Sequence, residues 1–517
     1  MIGELILLGI IASTSSQMIH QMMTPEELNK IFSVYNITEV PTYDVVPVSI
    51  SKPQNQRMND SYLIQKPFGE SKRMWLNPVD GILAGKNLPV YSIKSNSSDI
   101  HNPIITHHNI SEHFLPSIYE NTLHATTVAV NNNSNGGLTM TGFIGDSYIH
   151  PVPDRLKEHA RKRRSVNNEL DYESDDQIDH IIYKIPADAV ESRSLPKEIP
   201  SESKTKSRSK RSTIEMIHPE ILVIVENTLN KLIGETLVDK VLYLLSFWNG
   251  VDMRYRSFEN PKIRLNIAGV ILAEDPKVLP YMKVDSENIG LLYYQNARRQ
   301  QGTWLYNMQH KFPFDTYDIA VTMLTQGLCN STNTSKCNTV GTTFISGACH
   351  IGTDNTCNRI AFVQDRAAFD GIQTASHELG HLMGSSHDLE KTGKCQDDNG
   401  YIMTTYNRFS NHSFDWSPCS INEIDKFIRS KKASCLYNKP RSGEPLPRYL
   451  PGRRIDANQQ CKMIVNGNAT VIDDSICAKL KCSKKDKIEL PEAAEGTPCG
   501  PGKLCLHGQC MLESSVV

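Results

Sequence analysis

The chain has no cysteine before Cys329, yet 13 occur from there to Cys510. A disulfide framework is therefore excluded from the N-terminal part and concentrated in the C-terminal part. No excess of one charge is present either: Lys plus Arg number 55 against 57 for Asp plus Glu, a formal net charge of −2. That balance gives no global field for nucleic acid or an acidic membrane surface, so neither is an expected partner. Long apolar runs are also missing, since nothing approaches the roughly 18 residues of a membrane span. One short run, Leu5 to Ala12 in "MIGELILLGIIASTSS", is followed by small residues and reads as a secretory signal over 1–16, despite an n-region without Lys or Arg. Tandem repeats are absent.

With 517 residues, two or three folded units are expected, because domains run about 100–200 residues. The cysteines fall into a group of seven, Cys329 to Cys435, and a group of six, Cys461 to Cys510, and their odd total leaves one thiol without an internal partner. Such crowding fits an oxidising, extracellular compartment, and sequons at Asn36, Asn59, Asn96, Asn109, Asn132, Asn330, Asn333, Asn411 and Asn468 fit the same secretory route. Two basic runs, "RKRRS" at 161–165 and "KSRSKRS" at 206–212, lie in a polar stretch poor in apolar residues. They look like processing sites for a furin-like convertase, after Arg164 and after Arg211. The chain then divides into a pro-segment, 17–211, and a mature part beginning at Ser212.

In the mature part "EILVIVEN" has strand length, and Leu229, Leu232, Ile233, Leu237, Val241, Leu244 and Leu245 recur at helical spacing. "IRLNIAGVIL" (263–272) and "DIAVTML" (318–324) read as strands, with a helix over 286–309 between them and a further strand in "TTFISGAC" (342–349). Alternating strands and helices predict an α/β layered domain over 212–438. "PRSGEPLPRYLP" makes 439–455 a proline-rich connector. Residues 456–517 hold six cysteines and few apolar runs, so this small module is stapled by disulfides.

"SHELGHLMGSSHD" (376–388) carries the chemistry. Asp370 and Gln373 predict an N-cap and capping-box partner for a helix running to about Met383. His377 and His381, four apart, leave one helix face together; Gly384 lets the chain turn, and His387 returns as a third ligand. Three neutral imidazoles suit Zn²⁺ and leave a position for water, the mark of a catalytic site. Glu378 on the adjacent flank is the candidate general acid/base for peptide hydrolysis, and Met403 in "YIM" resembles the Met-turn of a metzincin, which implies an apolar floor beneath the metal.

These motifs resemble the adamalysin (reprolysin, M12B-type) metzincins, in which aspartate follows the third histidine, here Asp388. "GLCNSTNTSKCNTVGTTFISGACHIGTDNTC" is similar to the ADAMTS branch, and "LPGRRIDANQQC" with "EGTPCGPGKLCLHGQCM" to its cysteine-rich module, whereas thrombospondin repeats are absent. Short chains of this layout resemble secreted metalloproteinases of arthropod venom or saliva. The resemblance implies a mixed twisted sheet with long helices, preceded by a β-rich pro-segment and followed by the disulfide-rich module. It also implies a secreted, monomeric zinc endopeptidase made as a zymogen and acting on extracellular proteins, with the cleft wall between Met403 and Asp415. The alternative, a binding protein on a protease scaffold, is disfavoured by the intact Glu378. Family bridges carried over are Cys329–Cys337, Cys349–Cys435 and Cys395–Cys419, with Cys357 the odd thiol; the six tail cysteines remain open. A structural Ca²⁺ would take Glu220, Asp318, the Cys435 carbonyl and Asn438. No pro-segment cysteine exists to cap the zinc; histidines 101, 107, 108 and 113 are alternative nitrogen donors.

Overall fold

A computed structural model describes most of residues 18–512; outside the description lie 1–17, 161–177, 185–214, 283–290, 330–338 and 513–517, with shorter gaps within 33–146, 390–394, 406–411, 441–447 and 484–501. Arg164, Arg211, Cys337, Asn59, Asn330, Asn333, Asn411, His101 and His113 therefore lie outside the described residues.

The central sheet is built from β1 (Val90–Lys94), β2 (Ile104–His108), β3 (Glu220–Val225), β4 (Asn266–Ala273), β5 (Ile319–Leu324), β6 (Gly341–Thr343) and β7 (Ile360–Gln364). Their spatial order is β6-β7-β5-β3-β4-β1-β2, all parallel except the antiparallel edge strands β6 and β2. β3 is buried along its whole length because both faces are covered, so it reads as one apolar run. Ile221, Val223 and Val225 face one core with helices α1 (Leu237–Tyr255) and α3 (Ile372–Leu382), while Leu222 and Ile224 face a second core with α2 (Tyr294–Asn307).

Three local readings change. The first helix is two, Asn227–Leu232 and α1, because a Cβ at Gly234 would lie 2.4 Å from Asp239 Cβ and Thr236 starts α1 with a capping box to Asp239. α2 begins only at Tyr294, since Leu291–Tyr293 pairs with Gly327–Cys329 as a short ribbon. The segment 342–349 is strand only at its start, and its partner β7 has no counterpart among the expected elements.

Residues between Tyr43 and Lys184 form a nine-stranded antiparallel sheet. β1 and β2 do not join it. β1 instead pairs in parallel with β4, Val90 opposite Val270 through Ile93 opposite Ala273, and Leu83, Ala84, Leu88 and Val90 are buried in the first core. The connector also packs: Leu446 and Ile455 enter that core and Pro451–Arg454 is helical. Around α5 (Ala457–Val465) and α5's short neighbouring strands, the C-terminal module pairs Cys461–Cys482, Cys477–Cys505 and Cys499–Cys510, which supply much of its buried core. No helix of the described residues is long and apolar enough to cross a membrane.

Candidate metal centre

α3 follows β7 through a turn whose N-terminal bond differs from the expected cap. Gly371 occupies the cap position without a side-chain bond; its N–H donates to buried Asp365 (3.2 Å), which also accepts from Tyr243 Oη (2.6 Å). Asp370 is turned away onto Arg366 instead, with its carboxylate accepting from the Arg366 N–H (2.9 Å) and Nε (2.7 Å). Burial and the neighbouring Asp370 push the Asp365 carboxyl up to about 8. Tyr243 and Asp365 thus hold the helix start, a role that no local sequence signal marks, since the two residues lie 122 positions apart.

His377 and His381 leave one face of α3, and Gly384, at φ +102°, reverses the chain so that His387 meets them. His387 Nε2 lies 3.1 Å from His377 Nε2 and 3.1 Å from His381 Nε2. The outer nitrogens fix the tautomers: His377 Nδ1 is 2.7 Å from the Ile402 carbonyl and His381 Nδ1 is 2.7 Å from the Ser385 carbonyl. A carbonyl only accepts, so both Nδ1 atoms carry the proton and both Nε2 atoms present bare lone pairs. Such an inward cluster, repulsive by itself, fits a zinc ion. Burial lowers His377 to about 3 and His381 to about 4, which keeps both neutral and able to ligate at physiological pH.

The surroundings position this cluster. Met403 is fully buried, and a Cβ on Gly380 would meet its Sδ at 2.8 Å and Trp416 Cζ3 at 2.8 Å, so a glycine lets α3 settle onto this floor. Asp388 N–H donates to the Met403 carbonyl (3.0 Å), and Asp388 accepts from Ser417 Oγ (2.6 Å), the cap of α4 (Pro418–Ile428). Glu378 is buried and its Oε2 has no hydrogen-bond partner, while a Cβ on Gly341 of β6 would lie 2.5 Å from its Oε1. Burial pushes its carboxyl up to about 8, opposed by the Arg298 guanidinium. An edge strand, a carboxylate beneath it and three convergent imidazoles share one place.

A second cluster forms where β3 and β5 begin. Glu220 N–H donates to Asp318 Oδ2 (2.9 Å), Asn438 Nδ2 donates to Glu220 Oε2, and Asp318 gathers with Cys349 and Cys435. Burial first, then Glu220, push the Asp318 carboxyl up to about 8. Disulfides join Cys349 to Cys435 and Cys395 to Cys419; Cys329 is disulfide-bonded, with Cys337 outside the described residues. Cys357 is free but buried, its Sγ 3.7 Å from the Gly302 carbonyl, and burial raises its thiol to about 11. His107 and His108 lie on β2, the sheet edge opposite β6, and take no part in the imidazole cluster. Among the described sequons Asn36, Asn109 and Asn468 are exposed, Asn96 is half-buried, and Asn132 lies on a strand of the nine-stranded sheet.

The model of the reprolysin (M12B) family zinc metalloproteases matches residues 321–440, and that of the ADAMTS cysteine-rich domain 2 matches 451–511. A Bombyx mori protein described as a disintegrin and metalloproteinase with thrombospondin motifs like is 30% identical over 503 residues, covering 86% of this chain and 72% of its own. Venom metalloproteinase 3 of Eulophus pennicornis is 25% identical over 324 residues, covering 62% of this chain and 72% of its own. Human a disintegrin and metalloproteinase with thrombospondin motifs 8 is 27% identical over 335 residues, covering 60% of this chain but 35% of its own. With its three imidazoles converging beside a buried glutamate, the chain belongs to the reprolysin (M12B) family, in its ADAMTS-like branch, and is a zinc metalloendopeptidase.

Proposed function

We propose that His377, His381 and His387 hold the zinc and that Glu378 is the general acid/base of peptide-bond hydrolysis. Zinc in this setting supplies a Lewis acid that polarises the scissile carbonyl and makes water a nucleophile near neutral pH. Glu378 accepts the proton of the attacking water and delivers it to the leaving amine nitrogen. The observation that carries this is the orphaned, buried Glu378 Oε2 beside three Nε2 atoms that all face inward. β6 is the edge strand of the sheet next to Glu378, a natural place for an extended substrate backbone to add as a strand. Glu378→Ala tests the assignment: zinc content should stay at that of the parent protein while turnover falls by about 10²–10⁴ or more. Turnover within tenfold of the parent would remove Glu378 from the role.

The remaining reading concerns life outside the cell. The N-terminal apolar run, disulfides, exposed sequons and venom and ADAMTS relatives support a secreted monomer acting on extracellular proteins, and the venom relative raises a toxin role. The R-S-K-R run supports zymogen activation by a furin-like convertase after Arg211, with a subsidiary cut after Arg164. N-terminal sequencing of the active species should begin at Ser212. The cluster of Glu220, Asp318, Cys435 and Asn438 supports a structural calcium site, since its oxygen donors suit a hard cation.

A further inference from the structure

β6 ends its sheet on one side, yet little of its outer edge is open. The Gln364 N–H donates to the Val340 carbonyl (2.7 Å), and β6 runs antiparallel to β7 with Gly341 opposite Val363, Thr342 opposite Phe362 and Thr343 opposite Ala361. Hydrogen-bonded and non-hydrogen-bonded pairs alternate along such a ladder, so the backbone groups of Thr339, Gly341 and Thr343 face outward, away from β7. Thr339 is already used, since its N–H and carbonyl both bond Leu328 (3.3 and 3.2 Å). The Thr343 carbonyl accepts from Arg298 Nη1. Of the three, only Gly341 keeps both groups open to an added strand among the described residues, and it is the residue that lies against Glu378.

Arg298 reaches this edge from the second turn of α2. Gly302, one turn further on, lets the helix come close: a Cβ there would lie 2.5 Å from Thr356 Oγ1. Two rings hold the guanidinium, Phe344 at 4.5 Å and Tyr294, four residues before it, at 5.3 Å. It is half-buried, makes no ion pair with any described residue, and its Nε is buried without a partner. An outward carbonyl is where an added strand places its next N–H, so this guanidinium stands in the line of such a strand, two residues beyond the one paired with Gly341. An arginine there stops the ladder and presents a planar fork that matches a carboxylate. On the reading of β6 as the edge that receives substrate, we propose that Arg298 is a specificity-determining residue: the substrate backbone pairs with β6 through Gly341, and an acidic side chain at the adjoining end of the substrate strand is bound by the Arg298 guanidinium. Selection at that position is by charge, because a neutral side chain leaves the cation without a counter-charge.

The test uses the full-length active enzyme and short peptides acetylated and amidated at their ends, so that every carboxylate is a side chain. Glu is placed at each position in turn, with Gln as its isostere, and kcat/KM is compared within each pair. One position should favour Glu by about tenfold at low salt, and the preference should shrink as ionic strength rises. Arg298→Gln should bring that ratio to within about twofold of unity, and Arg298→Lys, which keeps the charge, should retain part of it. These ratios do not depend on the fraction of active enzyme, so a purely structural role for Arg298 lowers yield or melting temperature yet leaves them fixed. A parent enzyme with no Glu-preferring position would overturn the proposal, a measurement that needs no variant to fold; so would a preference that survives Arg298→Gln. A scan of N-methylated peptide bonds separates the two readings. If no single N-methyl group lowers kcat/KM by about tenfold, β6 does not receive the substrate and both fall. A sensitive peptide bond, combined with a Glu to Gln ratio that Arg298→Gln leaves unchanged, removes Arg298 alone.

Discussion

The two donor clusters are built on opposite plans. The imidazole cluster comes from one helix and the turn after it, whereas Glu220 reaches Asp318 across 98 residues and Asn438 across 218. Burial also acts on them in opposite senses. It lowers His377 and His381, leaving neutral nitrogen donors ready for a cation, but raises Asp318, leaving a protonated oxygen that must release its proton first. One site is therefore prepared by local geometry and is charge-neutral before binding. The other depends on the completed fold, and a cation held there as proposed would have to displace the proton on Asp318.

The largest effect that could break this comparison is loss of the local site. His381→Ala should reduce zinc to well below one ion per chain and lower turnover by more than about 10³. Asp318→Asn should leave zinc content intact, measured by elemental analysis; equal zinc loss in both would show that the two sites are not independent. Next in size, Gly384→Ala forces a Cβ to within 2.6 Å of Phe427 Cβ at a positive φ. The expected cost is about 3 kcal/mol of stability, read by denaturant unfolding, with weakened zinc affinity.

Calcium and pH sharpen the comparison further. Asp318 has a folded pKa of about 8, above its ordinary value of 3.8, so the folded state keeps a proton that the unfolded chain has lost. Its contribution is complete below about pH 4 and is lost as pH rises towards about 8. Calcium added to zinc-loaded protein should reverse that loss, by about 2.7 kcal/mol at a hundred times its dissociation constant. The rise in melting temperature should be larger at pH 8 than at pH 5 and absent in Asp318→Asn; an equal rise in all three cases would sever calcium from this carboxylate. The smallest effect is expected at the floor of the zinc cluster, where Met403→Leu conserves volume and should cost less than about 1.5 kcal/mol while zinc content holds.

Legibility followed distance along the chain. The histidine spacing, the turn at Gly384 and the buried Met403 lie within 27 positions; the first two could be placed from spacing, and Met403 from its resemblance to a metzincin Met-turn. The helix cap could not, because the group that bonds Gly371 is Asp365, itself held by Tyr243 from α1, and Asp370 had the better local pattern. β7 was missed because "IAFVQ" is too short a run to stand out without its neighbour β5. The three bridges of the module, with 15 possible pairings, required the strands that bring Cys499 to Cys510 and the short helix Asp474–Cys477 that brings Cys477 to Cys505.

β1 and β2 separate two events that are easily equated. Hydrolysing a peptide bond anywhere between 185 and 214 breaks one covalent link but none of the ladder bonds from Val90–Ile93 to Val270–Ala273. Burial of Val90 and Ile93 adds about 1.5–3 kcal/mol for each side chain, and this too survives the cut. If the chain is cut there as proposed, scission and departure of the N-terminal region would run on separate clocks, the first set by a peptidase and the second by the off-rate of a strand. A denaturing gel reads only the first; native mass spectrometry reads the second.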